Sequence, residues 1–427
     1  MMLRIAYAML TYLFTPVLIG HLYWRSLGNP SYRRRIGERF GRSGHQIHKS
    51  SIWVHAVSVG EVQAAATLVR ALLKRYPDRQ LIVTTMTPTG AERVRDLFGD
   101  AVIHSYVPYD LATAVRHFFD WAKPELVVIL EKEIWPNLFH ECGLRGIPLV
   151  LASARISTRS VRRYRHLVGL FRQTLSHGIV IAAQSEVDAA RFESLGANPG
   201  RIHVTGNIKF DFDIDPLVPG RGAAFRAGYA PGRPVWVAAS THDDEERIVL
   251  AAHGKILGSV PNALLVLVPR HPERFSLVAA LIGRSGLSGV TRSSALPCTA
   301  GDSVYLGDSM GELMTFYAAA DLAFVGGSLV RGIGGHNLVE PAALGLPVLT
   351  GPHVSNAPDI AALLVAGGAA QIVRAADDLA GHVIALFGDS AARQRRGSAG
   401  RKAVDDNRGT LTRILELIEP LMVRASC

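Results

Sequence analysis

Short, fully apolar runs alternate with longer amphipathic segments through most of this 427-residue chain, and no other feature constrains the fold as strongly. Runs of this kind are typical of strands in a parallel sheet that helices cover on both faces. The predicted strands are residues 52–57, 81–85, 126–130, 149–152, 179–183, 235–239, 264–268, 304–306, 322–325 and 347–349. Strands that alternate with helices in this way predict an α/β fold with doubly wound parallel sheets.

The alternation lapses once, around residues 211–233, where glycine and proline are frequent. We therefore predict two Rossmann-like domains, an N-terminal one at residues 46–215 and a C-terminal one at residues 216–427. A last helix at residues 410–423 has no strand after it and could pack back on either domain; the domain bounds assign it to the C-terminal one. Two such domains would face a cleft, which is a natural place for a ligand.

The N-terminal segment, residues 1–45, combines apolar length with a basic flank. Residues 5–24 carry no formal charge, and several arginines follow from Arg25 onwards. About 20 apolar residues suffice for a membrane helix, so we predict a membrane-anchor helix with its basic side in the cytoplasm. The helix could span the bilayer or lie in its interface. A buried N-terminal helix of a soluble protein is the alternative. The net charge of +10 is concentrated beside this segment, which disfavours a nucleic-acid interface.

The sequence gives no indication of a bound metal. The three cysteines are Cys142, Cys298 and Cys427. They lie far apart, which excludes the usual zinc-ligand spacing and favours a reducing compartment. Asp211, Asp213 and Asp215 alternate as metal ligands sometimes do, but the glycine and distal glutamate of a calcium loop are missing. We therefore expect neither a metal nor a cofactor.

The first candidate site residue is Glu61, which follows the strand at residues 52–57 in the sequence Ser58-Val-Gly-Glu61. The pattern S-x-x-E at a helix start is a capping box, in which the glutamate only caps the helix. Yet ligands of parallel sheets bind at the carboxyl ends of strands, and a helix start favours an ionised carboxylate, as a general base requires. Both interpretations stay open at this point.

Two further candidates in the first half are a carboxylate pair and a lysine. Glu131 and Glu133 follow a buried strand two residues apart, so they share one face if the chain stays extended. Such a pair indicates a site with perturbed pKa values, although ordinary loop carboxylates are the alternative. Lys209 ends the segment Thr-Gly-Asn-Ile-Lys and is a candidate charge for a leaving phosphate.

The second half contains features suited to phosphate. Arg270 and His271 follow an apolar strand directly, where an arginine can clamp a phosphate or form only a surface salt bridge. The glycine-rich segment 325–341 lets backbone amides approach a ligand, and a following helix would present its positive end at Asn337. Glu340, one turn inside that helix, is suitably placed for a ribose hydroxyl. The segment is not a GxxxxGK[ST] loop, which disfavours ATP hydrolysis.

Several blocks in the right order resemble one family, the bacterial 3-deoxy-D-manno-octulosonic acid (Kdo) transferases of lipopolysaccharide synthesis. The blocks are HAVSVGE (55–61), VTTMTPTGAERV (83–94), EKEIWPNL (131–138), TGNIKFD (205–211), STHDDEE (240–246), LVPRHPERF (267–275), GDSMGEL (307–313) and FVGGSLV with GGHN (324–337). The resemblance covers essentially the whole chain. It implies a GT-B glycosyltransferase, anchored to the cytoplasmic face of the inner membrane, that transfers Kdo from CMP-Kdo to the lipid A precursor lipid IVA.

The resemblance also implies roles for individual residues. Glu61 would be the general base, and Glu131 and Lys209 would support the transition state, in an inverting and metal-independent reaction. The implied nucleotide contacts are Pro269, Arg270, Met310, Gly311, Glu312, Asn337, Leu338, Val339 and Glu340. The family usually has N-P-L-E after GGH, whereas this chain has N-L-V-E in a loop that is one residue longer. Rival interpretations are a GT-B enzyme or epimerase using a UDP-sugar, and a non-catalytic membrane scaffold.

Overall fold

The computed structural model describes residues 2–164, 168–175 and 178–425. The chain divides into two compact units. Unit 1 comprises Met1–Phe212 and Arg408–Cys427, and unit 2 comprises Asp213–Asn407. Cys427 lies outside the described residues.

Unit 1 is built on a sheet of seven parallel strands in the order β3-β2-β1-β4-β5-β6-β7. The strands are β1 Ser51–His55, β2 Gln80–Thr85, β3 Ile103–Tyr106, β4 Pro124–Leu130, β5 Leu149–Ala154, β6 Val180–Ala183 and β7 Ile202–Val204. The helices are α1 Met2–Leu13, α2 Thr15–Gly28, α3 Val59–Arg75, α4 Pro88–Phe98, α5 Ala112–Ala122, α6 Pro136–Arg145, α7 Thr158–Tyr164, α8 Val168–Leu175 and α9 Glu186–Ser194.

Unit 2 repeats the same architecture, with seven parallel strands in the order β10-β11-β9-β8-β12-β13-β14. The strands are β8 Val235–Thr241, β9 Leu264–Pro269, β10 Gly289–Thr291, β11 Val304–Leu306, β12 Leu322–Val325, β13 Val348–Thr350 and β14 Ala370–Ile372. The helices are α10 Val218–Tyr229, α11 Glu245–Ser259, α12 Phe275–Arg284, α13 Leu313–Ala319, α14 Val339–Ala343, α15 Pro358–Ala366, α16 Ala376–Gly388 and α17 Ser390–Asp406. The predicted α/β fold with two parallel sheets is confirmed.

The last helix, α18 (Thr410–Ala425), belongs to unit 1 and not to the C-terminal domain to which the sequence assigned it. Its apolar side chains Ile414, Ile418 and Met422 pack against one face of the unit 1 sheet. Asp211 holds the start of the helix, because its carboxylate accepts the backbone amides of Gly409 and Leu411. Hydrophobic packing thus corrects the predicted placement, and Asp211 has a structural role.

The N-terminal segment forms two helices instead of the single anchor helix predicted from its length. Pro16 lies at the start of α2 and cannot continue the hydrogen bonding of α1. Within the described part of the chain no single helix is long and apolar enough to cross a membrane, whereas the pair Leu3–Leu13 and Thr15–Gly28, bent by 44°, together meets that length and composition. Large apolar side chains of the pair, such as Leu13 and Trp24, are exposed.

Candidate active site

Glu61 lies in the first turn of α3, directly after β1. Its Oε2 accepts a hydrogen bond of 2.8 Å from the backbone amide of Val57, while the side chain of Ser58, the residue before the helix, makes no capping bond. A capping box needs both halves, with the glutamate bonded to the amide of the capping residue itself. Here the Ser58 side chain makes no such bond, and Glu61 accepts the amide of Val57 instead of that of Ser58. Capping therefore does not account for Glu61.

The Glu61 carboxyl is buried, and burial raises its pKa to about 7, with a further contribution from the negative charge of Glu131. The Val57 amide opposes this shift but does not cancel it. The sequence predicted that the helix start would favour the ionised form, whereas burial and the neighbouring carboxylate of Glu131 raise the pKa and favour the neutral form. A pKa near the operating pH suits a general base.

Glu131 lies directly after β4 and is held between two cations. Lys209 Nζ is 2.6 Å from its Oε1, and Arg155 Nε is 2.9 Å from its Oε2. Burial favours the neutral carboxyl, but the Lys209 ammonium and the Arg155 guanidinium together hold the pKa of Glu131 below its usual value. The structure therefore brings the predicted residues Glu131 and Lys209 together as an ion pair.

Arg155 was missed by the sequence reasoning. The residue follows β5 directly, so its position at a strand exit was the signal that could have identified it. Its guanidinium is the second cation that contacts the Glu131 carboxylate.

The shared face predicted for Glu131 and Glu133 required an extended chain, and that condition is not met. Strand β4 ends at Leu130, and Glu131 has a left-handed backbone with φ +59°. The chain is therefore not extended across the pair. Glu133 instead accepts a 3.0 Å hydrogen bond from Trp135 Nε1, and burial raises its pKa. Left-handed backbone is costly for a residue with a side chain and is concentrated at functional sites.

Lys209 is positioned by a network at the ends of β5, β6 and β7. The Asn207 side chain accepts the Lys209 amide at 3.0 Å and donates to Gln184 at 3.0 Å. Ser153, with φ +51°, accepts the Ile208 amide at 3.2 Å. The backbone of this segment is thus tied to two neighbouring strands, which orients Lys209 towards Glu131.

In unit 2 three imidazoles gather around the ends of β8, β9 and β12. His242 and His336 stack with ring centroids 5.0 Å apart, their Nε2 atoms are 2.7 Å apart, and His271 meets His242 edge to face at 5.1 Å. Burial, together with the neighbouring histidines and Arg270, lowers the pKa of His336 to about 3, so this ring is neutral, and burial also lowers the pKa of His242. Gly327 has φ +68° and a side chain there would collide with His336.

Arg270 follows β9, and its amide donates to the Thr241 carbonyl at 2.9 Å. No ion pair involves its guanidinium among the residues that the structure describes, so the surface salt bridge that the sequence left open is not found there. A guanidinium beside neutral imidazoles is suited to a phosphate. Pro269, its predicted companion, is the last residue of β9.

Glu245 is a second residue that sequence reasoning did not single out. It is fully buried at the start of α11, and its Oε2 accepts the amides of His242 at 3.1 Å and Gly327 at 2.6 Å. Its Oε1 accepts the amides of Ser328 at 2.9 Å and Leu329 at 2.8 Å. The carboxylate therefore holds the glycine-rich loop, whose amides were predicted to approach a ligand.

Met310, Gly311 and Glu312 follow β11 in one loop. Met310 is 62% exposed, and Gly311 has a left-handed backbone with φ +83°. Glu312 is engaged by Arg292, whose Nε lies 3.0 Å from its Oε2, and by the Ser309 hydroxyl. Although burial opposes it, these partners hold the pKa of Glu312 below its usual value. The Glu312 carboxylate therefore orders this loop within unit 2.

The predicted contacts at residues 337–340 differ in what they offer a ligand. The side chains of Leu338 and Val339 are buried in unit 2, so only their backbone can reach a nucleotide. Asn337 accepts the Val339 amide at 3.0 Å, and Glu340 is half-buried. The helix that follows, α14, has only five residues, so the helix end predicted to attract phosphate is short.

Solved structures with different sequences share this fold. A UDP-GlcNAc 2-epimerase from Neisseria meningitidis aligns with a TM-score of 0.58 at 14% identity, covering 87% of this chain and 100% of that one. A glycosyltransferase from Rickettsia africae aligns with a TM-score of 0.57 at 14% identity, covering 88% and 99%. At this identity the likeness concerns the fold alone, which is GT-B-like.

Sequence relatives are much closer. A family model described as 3-deoxy-D-manno-octulosonic-acid transferase (kdotransferase) matches residues 34–212. A 3-deoxy-D-manno-octulosonic acid transferase from Haemophilus influenzae is 41% identical over 426 residues, covering 99% of this chain and 100% of the relative. One from Bordetella pertussis is 37% identical over 398 residues, covering 89% and 90%. The chain therefore belongs to the 3-deoxy-D-manno-octulosonic acid transferase family.

Proposed function

We propose that this chain transfers Kdo from CMP-Kdo to lipid IVA in lipopolysaccharide biosynthesis, with inversion at the anomeric carbon and without a metal ion. Family membership at 41% identity over the full length supports the reaction class. The assignment of Glu61 as the base rests on its burial, which raises its pKa to about 7, and on the incomplete capping box at this helix start.

In the proposed reaction Glu61 takes the proton of an acceptor sugar hydroxyl. The hydroxyl oxygen forms a bond to the anomeric carbon of Kdo while the bond from that carbon to the phosphate oxygen of CMP breaks. The bonding electrons leave with CMP, whose phosphate gains the negative charge. Direct displacement of this kind inverts the anomeric centre, and a base with a pKa near neutral pH is half ionised where it operates.

Glu131 and Lys209 are proposed to support the transition state. The pair is 2.6 Å apart and mostly buried, so its charges are screened less than they would be in water. Preorganised charges of this kind stabilise developing charge without having to reorganise during the reaction.

Unit 2 is proposed to bind the cytidine nucleotide. Arg270 and the histidines beside it would meet the phosphate, and Met310 together with the loops at residues 311–312 and 337–340 would hold the nucleoside. Pro269, Gly311, Leu338 and Val339 would contribute mainly backbone. Charge-assisted hydrogen bonds from a guanidinium are the strongest of these contacts.

The N-terminal helices are proposed to attach the enzyme to the cytoplasmic face of the inner membrane. The exposed side chains of Leu13, Trp24 and Leu27 supply apolar surface, and Arg25 and Arg33 supply positive charge beside it. Anionic lipid headgroups attract such charges by about 1 kcal/mol each. A lipid acceptor would reach the enzyme from the same surface.

The test is transfer from freshly generated CMP-Kdo to lipid IVA in detergent with EDTA, with the product analysed by mass. Wild type should give Kdo-lipid, and Glu61→Gln should lower kcat by roughly 100- to 10,000-fold. Glu186→Gln is the matched control, because Glu186 is an exposed glutamate in the first turn of α9, a helix that follows another strand of the same sheet.

The outcomes separate the parts of the proposal. Product from wild type and the control but not from Glu61→Gln supports the reaction and the base. Equal rates in all three proteins would refute the role of Glu61, and transfer that EDTA abolishes would refute metal independence. A wild type that is inactive with CMP-Kdo but binds UDP more tightly than CMP would return the assignment to a UDP-sugar enzyme.

A further inference from the structure

Three arginines of unit 1 gather around the end of β3, apart from the residues assigned above. Arg35 and Arg39 belong to the segment before β1, and Arg95 lies on α4. The guanidinium carbons of Arg39 and Arg35 lie 4.3 and 5.4 Å from the ring centroid of the same tyrosine, Tyr106. We call Arg35, Arg39 and Arg95 the basic cluster.

Arg39 is almost completely buried without a counter-charge. Its residue surface is 2% exposed, Nη2 donates to the Met86 carbonyl at 3.0 Å, and Nε has no hydrogen-bond partner. Within residues 2–164, 168–175 and 178–425 no carboxylate forms an ion pair with it. A buried charge without an opposite charge is costly, so a ligand that supplies the missing negative charge would be favoured here.

Arg35 is held in place at a further conformational cost. Its backbone is left-handed with φ +57°, and its Nε pairs with Glu38 at 2.6 Å. Its other nitrogens contact His104, with Nη2 2.6 Å from the His104 carbonyl oxygen and Nη1 3.0 Å from Nδ1. Strained residues that carry charge are concentrated at binding sites.

The cluster carries an excess of positive charge. The cluster has three guanidiniums, and among the described residues one carboxylate, that of Glu38, pairs with any of them, at Arg35. Glu38 also accepts the Tyr106 amide at 2.9 Å. His104 adds no charge, because burial and then the charges of Arg35, Arg95, His45 and Arg39 lower its pKa to about 3. Two positive charges therefore remain, which matches the charge of about −1.5 to −2 on a phosphate monoester at neutral pH.

The position of the cluster relates it to Glu61. Met86 follows β2 and Tyr106 ends β3, so the cluster lies at the carboxyl edge of the sheet, the edge at which Glu61 follows β1. Strands β1, β2 and β3 are consecutive neighbours, and neighbouring strands are about 4.8 Å apart. Two strand spacings are about 10 Å, within reach of one substrate that carries both the reacting hydroxyl and a phosphate.

We propose that the basic cluster binds a phosphate monoester of the acceptor lipid and so positions its hydroxyl at Glu61. The inference rests on the proposed function for the identity of the acceptor. Membrane headgroups also carry phosphate, as diesters with a single negative charge, and the experiment separates the two sources.

The experiment measures the acceptor KM in detergent for wild type, Arg39→Lys and Arg95→Gln. Acceptors are lipid IVA with both phosphates and the two forms from which one or the other phosphate has been removed. Arg39→Lys keeps the charge but loses the guanidinium fork. Arg95→Gln changes an exposed residue on α4. Arg70→Gln, an exposed arginine on α3, removes one charge outside the cluster as the control.

We expect Arg39→Lys to raise the acceptor KM roughly tenfold and Arg95→Gln roughly threefold, with the KM for CMP-Kdo and the Arg70→Gln control unchanged. On one of the two dephosphorylated acceptors, wild type and variants should have the same KM, because that acceptor lacks the phosphate that the cluster binds. An equal loss on all three acceptors, or no loss in either variant, would overturn the inference.

Binding to vesicles of phosphatidylglycerol and of phosphatidylcholine tests the other source. If Arg95→Gln binds anionic vesicles less well while its acceptor KM is unchanged, the cluster binds membrane headgroups and the acceptor assignment is overturned. Failure of wild type to form Kdo-lipid would refute the proposed function itself, which is a different result from an active wild type whose variants show no acceptor effect.

Discussion

Glu61 and Glu245 occupy comparable places in the two units, yet their surroundings differ. Each lies in the first turn of the helix that follows the first strand of its unit in chain order, β1 or β8. Glu245 accepts four backbone amides with its two oxygens, whereas Glu61 accepts one, from Val57. A carboxylate surrounded by amides is a structural element, and a buried carboxyl with one amide retains an oxygen for chemistry. Position in a Rossmann-like fold therefore does not distinguish the two glutamates, whereas the number of backbone amides that each carboxylate accepts does.

The largest expected effect on stability is that of Glu245→Gln. The amide group of glutamine would turn donor hydrogens towards amides that also donate, leaving buried groups unsatisfied. We expect a loss of about 3 kcal/mol in the free energy of unfolding, measured by chemical denaturation. A variant that keeps wild-type stability and loses only activity would remove the contrast between the two glutamates.

Glu61→Gln should have the opposite effect on stability, and the effect should depend on pH. The folded-state pKa of about 7 lies above the usual value of 4.5, so the folded chain binds this proton more tightly than the unfolded chain does. Ionising the buried carboxyl therefore lowers the stability of the fold. The full stability is present below about pH 4.5, and this contribution is lost as the pH rises through about 7.

The variant avoids that cost, so we expect it to be more stable than wild type by up to roughly 3 kcal/mol at pH 8 and by less than about 1 kcal/mol at pH 5. Melting temperatures of both proteins at the two pH values provide the measurement. A variant that is destabilised at pH 8 would mean that Glu61 has structural bonds of the kind Glu245 makes.

The charge of Glu131 should shift the pH profile of the reaction. Because that charge raises the pKa of Glu61, Glu131→Gln should lower the pH at which kcat/KM reaches half its maximum on the acidic side, which lies near pH 7 in wild type. The substitution should also lower the rate. The residual activity is measured from pH 5 to 9, with Glu186→Gln as the control. An unchanged midpoint would show that the two carboxyls do not interact.

The smallest expected effect is that of Ser58→Ala, since the Ser58 side chain makes no capping bond. We expect a change in stability below about 0.5 kcal/mol, whereas loss of a working serine cap costs about 1 kcal/mol. A loss of that size would restore the capping interpretation of this helix start and weaken the comparison.

The strands that the sequence predicted are those with neighbours on both sides. The four that were missed, β3, β7, β10 and β14, are the edge strands of the two sheets. An edge strand is covered on fewer sides and therefore needs fewer apolar residues, as Gly-Val-Thr at β10 and Ala-Gln-Ile at β14 illustrate. Their pattern is not distinguishable from that of loops, so only pairing in three dimensions identifies them.

At the site, the strand exits identified Glu61 and Lys209 because topology places such residues at one edge of a sheet. What the residue pattern could not show was how each charge is compensated. The left-handed backbone at Glu131, the second cation from Arg155 and the four amides on Glu245 all depend on contacts between residues distant in sequence. The direction of the Glu61 pKa shift depends on burial, which a helix-start pattern does not reveal.

The placement of α18 has a consequence for the order in which the two units can fold. The core of unit 1 includes Ile414, Ile418 and Met422, which the ribosome adds only after all of unit 2. Domains generally fold as units during synthesis, starting from the N-terminus. The chain segment of unit 2 is therefore complete before α18 is made, whereas unit 1, although begun first, must wait for the last helix with one apolar face of its sheet incompletely covered.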